Sequence, residues 1–119
     1  MSNKLSKQTL ADARAVLEEL AATGRTLNYR EFASVMGIDI SPVILTTTYL
    51  LEIIVREDFV AQRPVLSSVV IQKGKSGIPR KGFFMLLEEL GLYQGDYDNA
   101  QAAQWHLNEL KKLKLYYQK

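Results

Sequence analysis

The sequence predicts an α+β, mainly helical chain. It reads as a winged helix-turn-helix-like unit with a short β-hairpin and flanking N- and C-terminal helices, forming a single domain over residues 1–119. Three observations predict it. Two helical patterns lie between residues 29 and 57, the first stopped at Gly37 and the second opened by Ser41-Pro42. A β-branched run over residues 65–72 leads into a basic, glycine-containing turn, Lys73-Gly74-Lys75-Ser76-Gly77. On either side of this unit, apolar residues recur at intervals of three and four.

Ser6 is a good N-cap for the first helix, and Leu10, Ala13, Leu17, Leu20 and Ala21 give it one apolar face before Gly24 supplies a left-handed stop. Residues 25–29 are too short for a helix between two others, so a small strand is expected there. Asn28 or Tyr29 then opens a helix through Met36, with Phe32, Val35 and Met36 on its inner side. In the third helix, residues 42–57, steps of 100° gather Val43, Ile44, Thr47, Leu50, Leu51, Ile54 and Val55 on the core side. Leu45, Thr48, Tyr49, Glu52 and Arg56 form the opposite stripe. Two readings of that stripe stand: a partner-facing surface, or a face covered by another element.

Residues 58–63 read as a connector, and Pro64 prevents the helix from continuing. Residues 65–72 are expected to be a strand buried on at least one face. Ile78-Pro79 either completes a hairpin arm or starts the next helix, whose apolar spacing runs from Phe83 to Leu90 and stops at Gly91. Asp98, with Gln101 three positions on, matches a cap for the last helix. Its inward seam is expected to be Ala103, Leu107, Leu110, Leu113 and Tyr117, leaving Trp105, Tyr116 and the single histidine, His106, exposed.

A chain of 119 residues is long enough for one core, and 47% hydrophobic with 24% charged residues is an ordinary globular balance. The net charge of +2 is too small to draw the whole molecule to nucleic acid or to an anionic membrane, so any such attraction must come from clustering. Lys73, Lys75, Arg80 and Lys81 fall within nine residues and supply one cluster. With no cysteine there is no disulfide, thiolate nucleophile or zinc-thiolate site, and a lone histidine makes a transition-metal site improbable. The serines lack a neighbouring base and the carboxylate pairs lack apolar enclosure, so no enzyme activity, cofactor or metal is expected. The N-terminal residues carry no apolar targeting pattern and no apolar run is long enough to span a bilayer, so a cytoplasmic location without membrane contact is expected.

The central residues carry a resemblance. Tyr29-x-Glu31-x-Ala33 with Gly37, a capped helix, Pro64-Val65-Leu66 running into Val69-Val70, a glycine turn, Gly82-Phe83 and Leu86-Leu87-x-x-Leu90-Gly91 follow one another over about half the chain. This order resembles the C-terminal winged-helix domain of O6-alkylguanine-DNA alkyltransferases and alkyltransferase-like proteins. In that family a tyrosine rotates a damaged nucleotide, an arginine of the recognition helix fills the vacated place, and a Pro-Cys-His-Arg segment carries the reactive thiol. The resemblance implies the fold, a duplex DNA partner and a functional position for Tyr29. The departures limit it: the segment matching Pro-Cys-His-Arg is Val65-Leu66-Ser67-Ser68, which has no thiol to alkylate. The arginine position falls near Leu45, and nothing from Val43 to Thr47 is basic, which removes the support for base flipping.

The expected function is therefore non-enzymatic binding of duplex DNA. Tyr29, Ser41, Leu45, Thr48 and Tyr49 present the helix-turn-helix face, and Lys73, Lys75, Arg80 and Lys81 form a basic wing on the phosphates. Four phosphate contacts predict a salt slope of about −3 to −4. A solvated lysine-rich turn is the alternative account of the same four residues. The alternative function is a protein-interaction module, an accessory factor of a phage or mobile element acting on a host protein. Its anchors would be Leu45, Tyr49, Trp105 and Tyr116, with a homodimer through Trp105 and Tyr116 as a further arrangement.

Overall fold

The computed structural model describes residues 6–39, 42–74 and 77–118. Helix ends follow local signals. Helix α1, Lys7–Thr23, begins where the Ser6 hydroxyl oxygen accepts the Thr9 N–H at 3.1 Å, and it ends at Gly24 in the left-handed region. A two-residue strand β1, Leu27–Asn28, leads directly into α2, Tyr29–Met36. Asn28 and Glu31 cap α2 reciprocally: each side chain accepts the other's backbone N–H, at 2.8 and 2.9 Å. Only Tyr29, Phe32 and Ala33 of α2 are buried, so the expected inward Val35 points out instead.

Helix α3, Val43–Ala61, buries Thr47, Leu50, Leu51, Ile54 and Val55 and exposes Leu45 and Tyr49, the division expected from its periodicity. It continues one turn past the expected end because Asp58, expected in a connector, sits wholly buried inside the helix. There it takes Arg14 at 2.8 Å, Arg63 at 3.1 Å and the Leu66 N–H at 3.0 Å. Burial works against the Arg14 charge, but its bonds to Glu57 and Asp58 outweigh that and hold its pKa above the ordinary value.

The strand expected over residues 65–72 is a correction. The chain forms a 3₁₀ turn, Leu66–Val69, and then a two-residue strand β2, Val70–Ile71. Ahead of β2, the Val65 and Leu66 N–H groups and the Ser68 carbonyl bond to side chains rather than to a ladder, and all of residues 65–70 are buried. A β-branched run suits enclosure on every side as well as it suits a strand. Strand β2 pairs with β1 in parallel, Leu27 opposite Val70, so the expected β-hairpin is absent among the described residues. The closest feature is a loop that the Gln72 N–H closes on the Ile78 carbonyl at 2.8 Å. Ile78 and Pro79 belong to neither a hairpin arm nor a helix, and α4, Lys81–Glu89, starts after Arg80.

Helix α5, Ala100–Tyr117, is capped by Asn99 rather than Asp98, and it is rotated from the expected phase. Ala102, His106, Glu109 and Leu113 face inward, while Ala103 and Leu107 are exposed. The reason is polar. The Glu109 carboxylate accepts the Val65 N–H at 2.7 Å, and His106 Nε2 lies 2.8 Å from the Ser68 carbonyl, which can only accept, so Nε2 donates. These bonds satisfy a buried segment that lacks a ladder.

Two clusters make the core. The larger unites α1, α2, α3 and the 3₁₀ turn through residues such as Leu17, Phe32, Leu50, Ile54 and Leu66, each contributing about 1.5–3 kcal/mol by burial. The smaller is aromatic, with Trp105 half-buried and edge-on to Phe83, Phe84 and Tyr93 at centroid distances of 6.0, 6.1 and 6.2 Å. Trp105 is thus not the free anchor expected, whereas Tyr116 is exposed. No helix of the described residues is long and apolar enough to cross a membrane.

Candidate functional site

A cleft of about 640 Å³ opens between the start of α2, the first turn of α3 and the loop before α4. Tyr29 and Arg80 are its centre. The Asn28 cap places Tyr29 at the first position of α2, where its ring turns into the core and its hydroxyl emerges at the cleft. That hydroxyl oxygen accepts the Arg80 backbone N–H at 2.9 Å, and the Arg80 guanidinium stands 5.6 Å from the ring centroid, within cation–π range. Burial pushes the Tyr29 pKa up to about 12, against the opposing pull of the Arg80 N–H and charge. At neutral pH the group is a phenol, able to position a neighbour and unable to act as a base.

Lys73 and Arg30 complete the cationic lining. Among the described residues, Arg30, Lys73 and Arg80 make no ion pair with a carboxylate, like Lys7, Lys81, Lys111 and Lys114 elsewhere, whereas Arg14, Arg25, Arg56, Arg63 and Lys112 do. Glu31 also lines the cleft, but one of its oxygens is engaged by the Asn28 N–H. A smaller recess of about 90 Å³ adjoins the cleft, sharing Tyr29 and Arg80 and floored partly by Ser67, whose hydroxyl donates to the Leu51 carbonyl at 2.9 Å.

Of the residues expected to form a site, Tyr29, Lys73 and Arg80 come together here. Leu45 and Tyr49 are 66% and 59% exposed on the adjoining face of α3, where Ile44 turns into the cleft beside them. Thr48 is half-buried in the small recess, and its hydroxyl donates to the Ile44 carbonyl at 2.8 Å. Lys81 is exposed in the first turn of α4 and does not line the cleft. Ser41 and Lys75 lie outside the described residues. Arg30 was missed in the sequence reading. Its signal is helical phase: it follows Tyr29 and falls off the buried face made by Tyr29, Phe32 and Ala33.

Comparison with family models, curated proteins and solved structures gives no match.

Proposed function

We propose that the chain is a cytoplasmic, non-enzymatic protein that binds duplex DNA. In this reading α2 and α3 serve as the helix-turn-helix, and the loop before α4 stands in the place of a wing. One observation carries it: Arg30, Lys73 and Arg80 share one cleft without carboxylate partners among the described residues, beside the solvent-facing stripe of α3. Cations left unpaired around a concavity suit the phosphate backbone, which displaces condensed counterions when it is neutralised. Tyr29 fixes where Arg80 stands, and Lys81 lies one residue beyond it. The α3 stripe offers Leu45 and Tyr49 rather than a bidentate arginine or amide, so sequence discrimination is weak and affinity is mainly electrostatic. The likeness of the central motifs to alkyltransferase-like proteins supports the same reading.

The test is a titration with a short DNA duplex at two or more salt concentrations. The logarithm of the binding constant should fall with a slope of about −3, and each of Arg30→Ala, Lys73→Ala and Arg80→Ala should reduce that slope by about one. Thermal melts should leave Arg30→Ala and Lys73→Ala within about 0.5 kcal/mol of the parent, because neither side chain makes an ion pair among the described residues. A salt-independent titration, or variants that bind like the parent, would remove the proposal.

A further inference from the structure

Helix α4 carries its charges in the order that opposes its own dipole. Arg80 precedes it without a side-chain cap and Lys81 opens a first turn that has no acidic residue, while its last turn holds Glu88 and Glu89 and no basic residue. A helix by itself favours the reverse, anions at its start and cations at its end.

These charges share one face. At 100° per residue Lys81, Met85 and Glu88 fall within about 60° of one another, with Glu89 beside them. All four are exposed, Met85 by 50%, while Phe83, Phe84, Leu86 and Leu87 are buried. The stripe of α3 runs alongside in the same direction: Thr48 and Glu52 share the small recess with Gly82 and Leu86, and Arg56 meets Glu89 at 3.3 Å. It sets the exposed Leu45 and Tyr49 next to this face.

Local partners leave the two ends of α4 opposite in sign. Among the described residues neither Arg80 nor Lys81 makes an ion pair, so the start carries two positive charges that no carboxylate offsets. At the other end Glu88 accepts the hydroxyl of a neutral group, Tyr97, and Glu89 is offset by Arg56, so two carboxylates face one guanidinium and the end stays negative.

We propose that this face binds a second copy of the chain, α4 packing antiparallel on α4 about a two-fold axis near Met85. The half-turn sets Lys81 against Glu88 of the second copy and Glu88 against its Lys81, since the two positions lie about 10 Å apart along each helix, with Met85 against Met85 between them. The order of charge that is unfavourable in one α4 becomes favourable in the pair, because the neighbouring dipole runs the other way. A face complementary to itself after a half-turn selects its own copy over a partner of single charge sign, which one end would repel. Leu45 and Tyr49 border the contact, so the second copy and DNA compete for the α3 stripe. That competition rests on the function proposed above, whereas the pairing does not.

The experiment is sedimentation equilibrium of the full chain without DNA, over rising protein concentration and at two salt concentrations, so that it can succeed or fail separately from the DNA titration. The expected result is a monomer–dimer equilibrium that weakens as salt is raised. Lys81→Glu and Glu88→Lys should each weaken it about tenfold, because the axis repeats every contact and each reversal turns two attractions into two repulsions. The double variant Lys81→Glu/Glu88→Lys should recover the association of the parent, and Met85→Asp should weaken it. Thermal melts of dilute Lys81→Glu should show no loss against the parent, since an acidic first turn suits the dipole, which separates a lost interface from a damaged fold. A monomer at every concentration, a dimer indifferent to salt or to the single reversals, or a double variant that stays as weak as either single one would overturn the proposal.

Discussion

The two ends of α3 treat charge in opposite ways. Toward its C-terminus Asp58 is enclosed with Arg14 and Arg63 around it, and Glu57 binds the same Arg14 at 2.8 Å. Toward its N-terminus the neighbouring cations Arg30, Lys73 and Arg80 make no ion pair among the described residues, although Glu31 lines the same cleft. The two regions differ in how their charges are satisfied. A buried carboxylate holding two guanidiniums and a backbone N–H is needed for the fold to close, since each group would otherwise lose its water without replacement. Exposed cations around an open cleft add nothing to closure and repel one another slightly, and the proposed function gives them a partner in the phosphate backbone.

The comparison breaks most sharply at Asp58. Asp58→Ala should cost about 3–5 kcal/mol, because it leaves Arg14, Arg63 and the Leu66 N–H without their shared partner. Urea denaturation measures this, and a loss below about 1 kcal/mol would show the hub to be ornamental.

His106 gives the next effect. Replacing it with alanine strips the Ser68 carbonyl of its donor and should cost about 1–3 kcal/mol. It also carries a pH signature. Burial lowers its pKa below the ordinary 6.5, opposed by the bond to Ser68, so the unfolded chain takes up a proton more readily than the folded one. The stability due to neutral His106 is complete above that ordinary value and is lost as pH falls through it toward the folded-state pKa. Melting temperatures measured as the pH is lowered from about 7.5 to about 5, a window that brackets the ordinary histidine pKa, should therefore decline on acidification. The decline should flatten in His106→Asn.

Tyr29→Phe sharpens the other side. It removes the acceptor of the Arg80 N–H and should cost about 0.5–1.5 kcal/mol, while loosening Arg80 and so weakening DNA binding more than stability. Equal losses in both measurements would make Tyr29 a packing residue only.

The elements legible from the sequence are those fixed within a few residues. Ser6 and Gly24 bound α1, Asn28 and Glu31 open α2, and the apolar spacing of α3 divides its buried from its exposed face. What escaped depends on partners distant in sequence. The run from Val65 to Val70 has strand composition, but its backbone bonds to Asp58, Glu109 and His106, which no local pattern announces. For the same reason α5 turns polar residues inward and leaves Leu107 47% exposed, which reverses a seam drawn from hydrophobicity alone. Lys73 and Arg80 were legible as cations in a turn, but their meeting with Tyr29 and Arg30 depends on how α2 docks beside the loop, a tertiary fact.

The bonds from α5 to the 3₁₀ turn span 44 residues from Val65 to Glu109 and 38 from Ser68 to His106. During synthesis the turn can be completed only after the last helix has left the ribosome, because until then its buried amide and carbonyl have only water to answer them. A chain cut short before α5 therefore loses more than a helix: it loses the means of finishing its own middle, and such a fragment should be cleared by proteases rather than persist as a smaller folded protein.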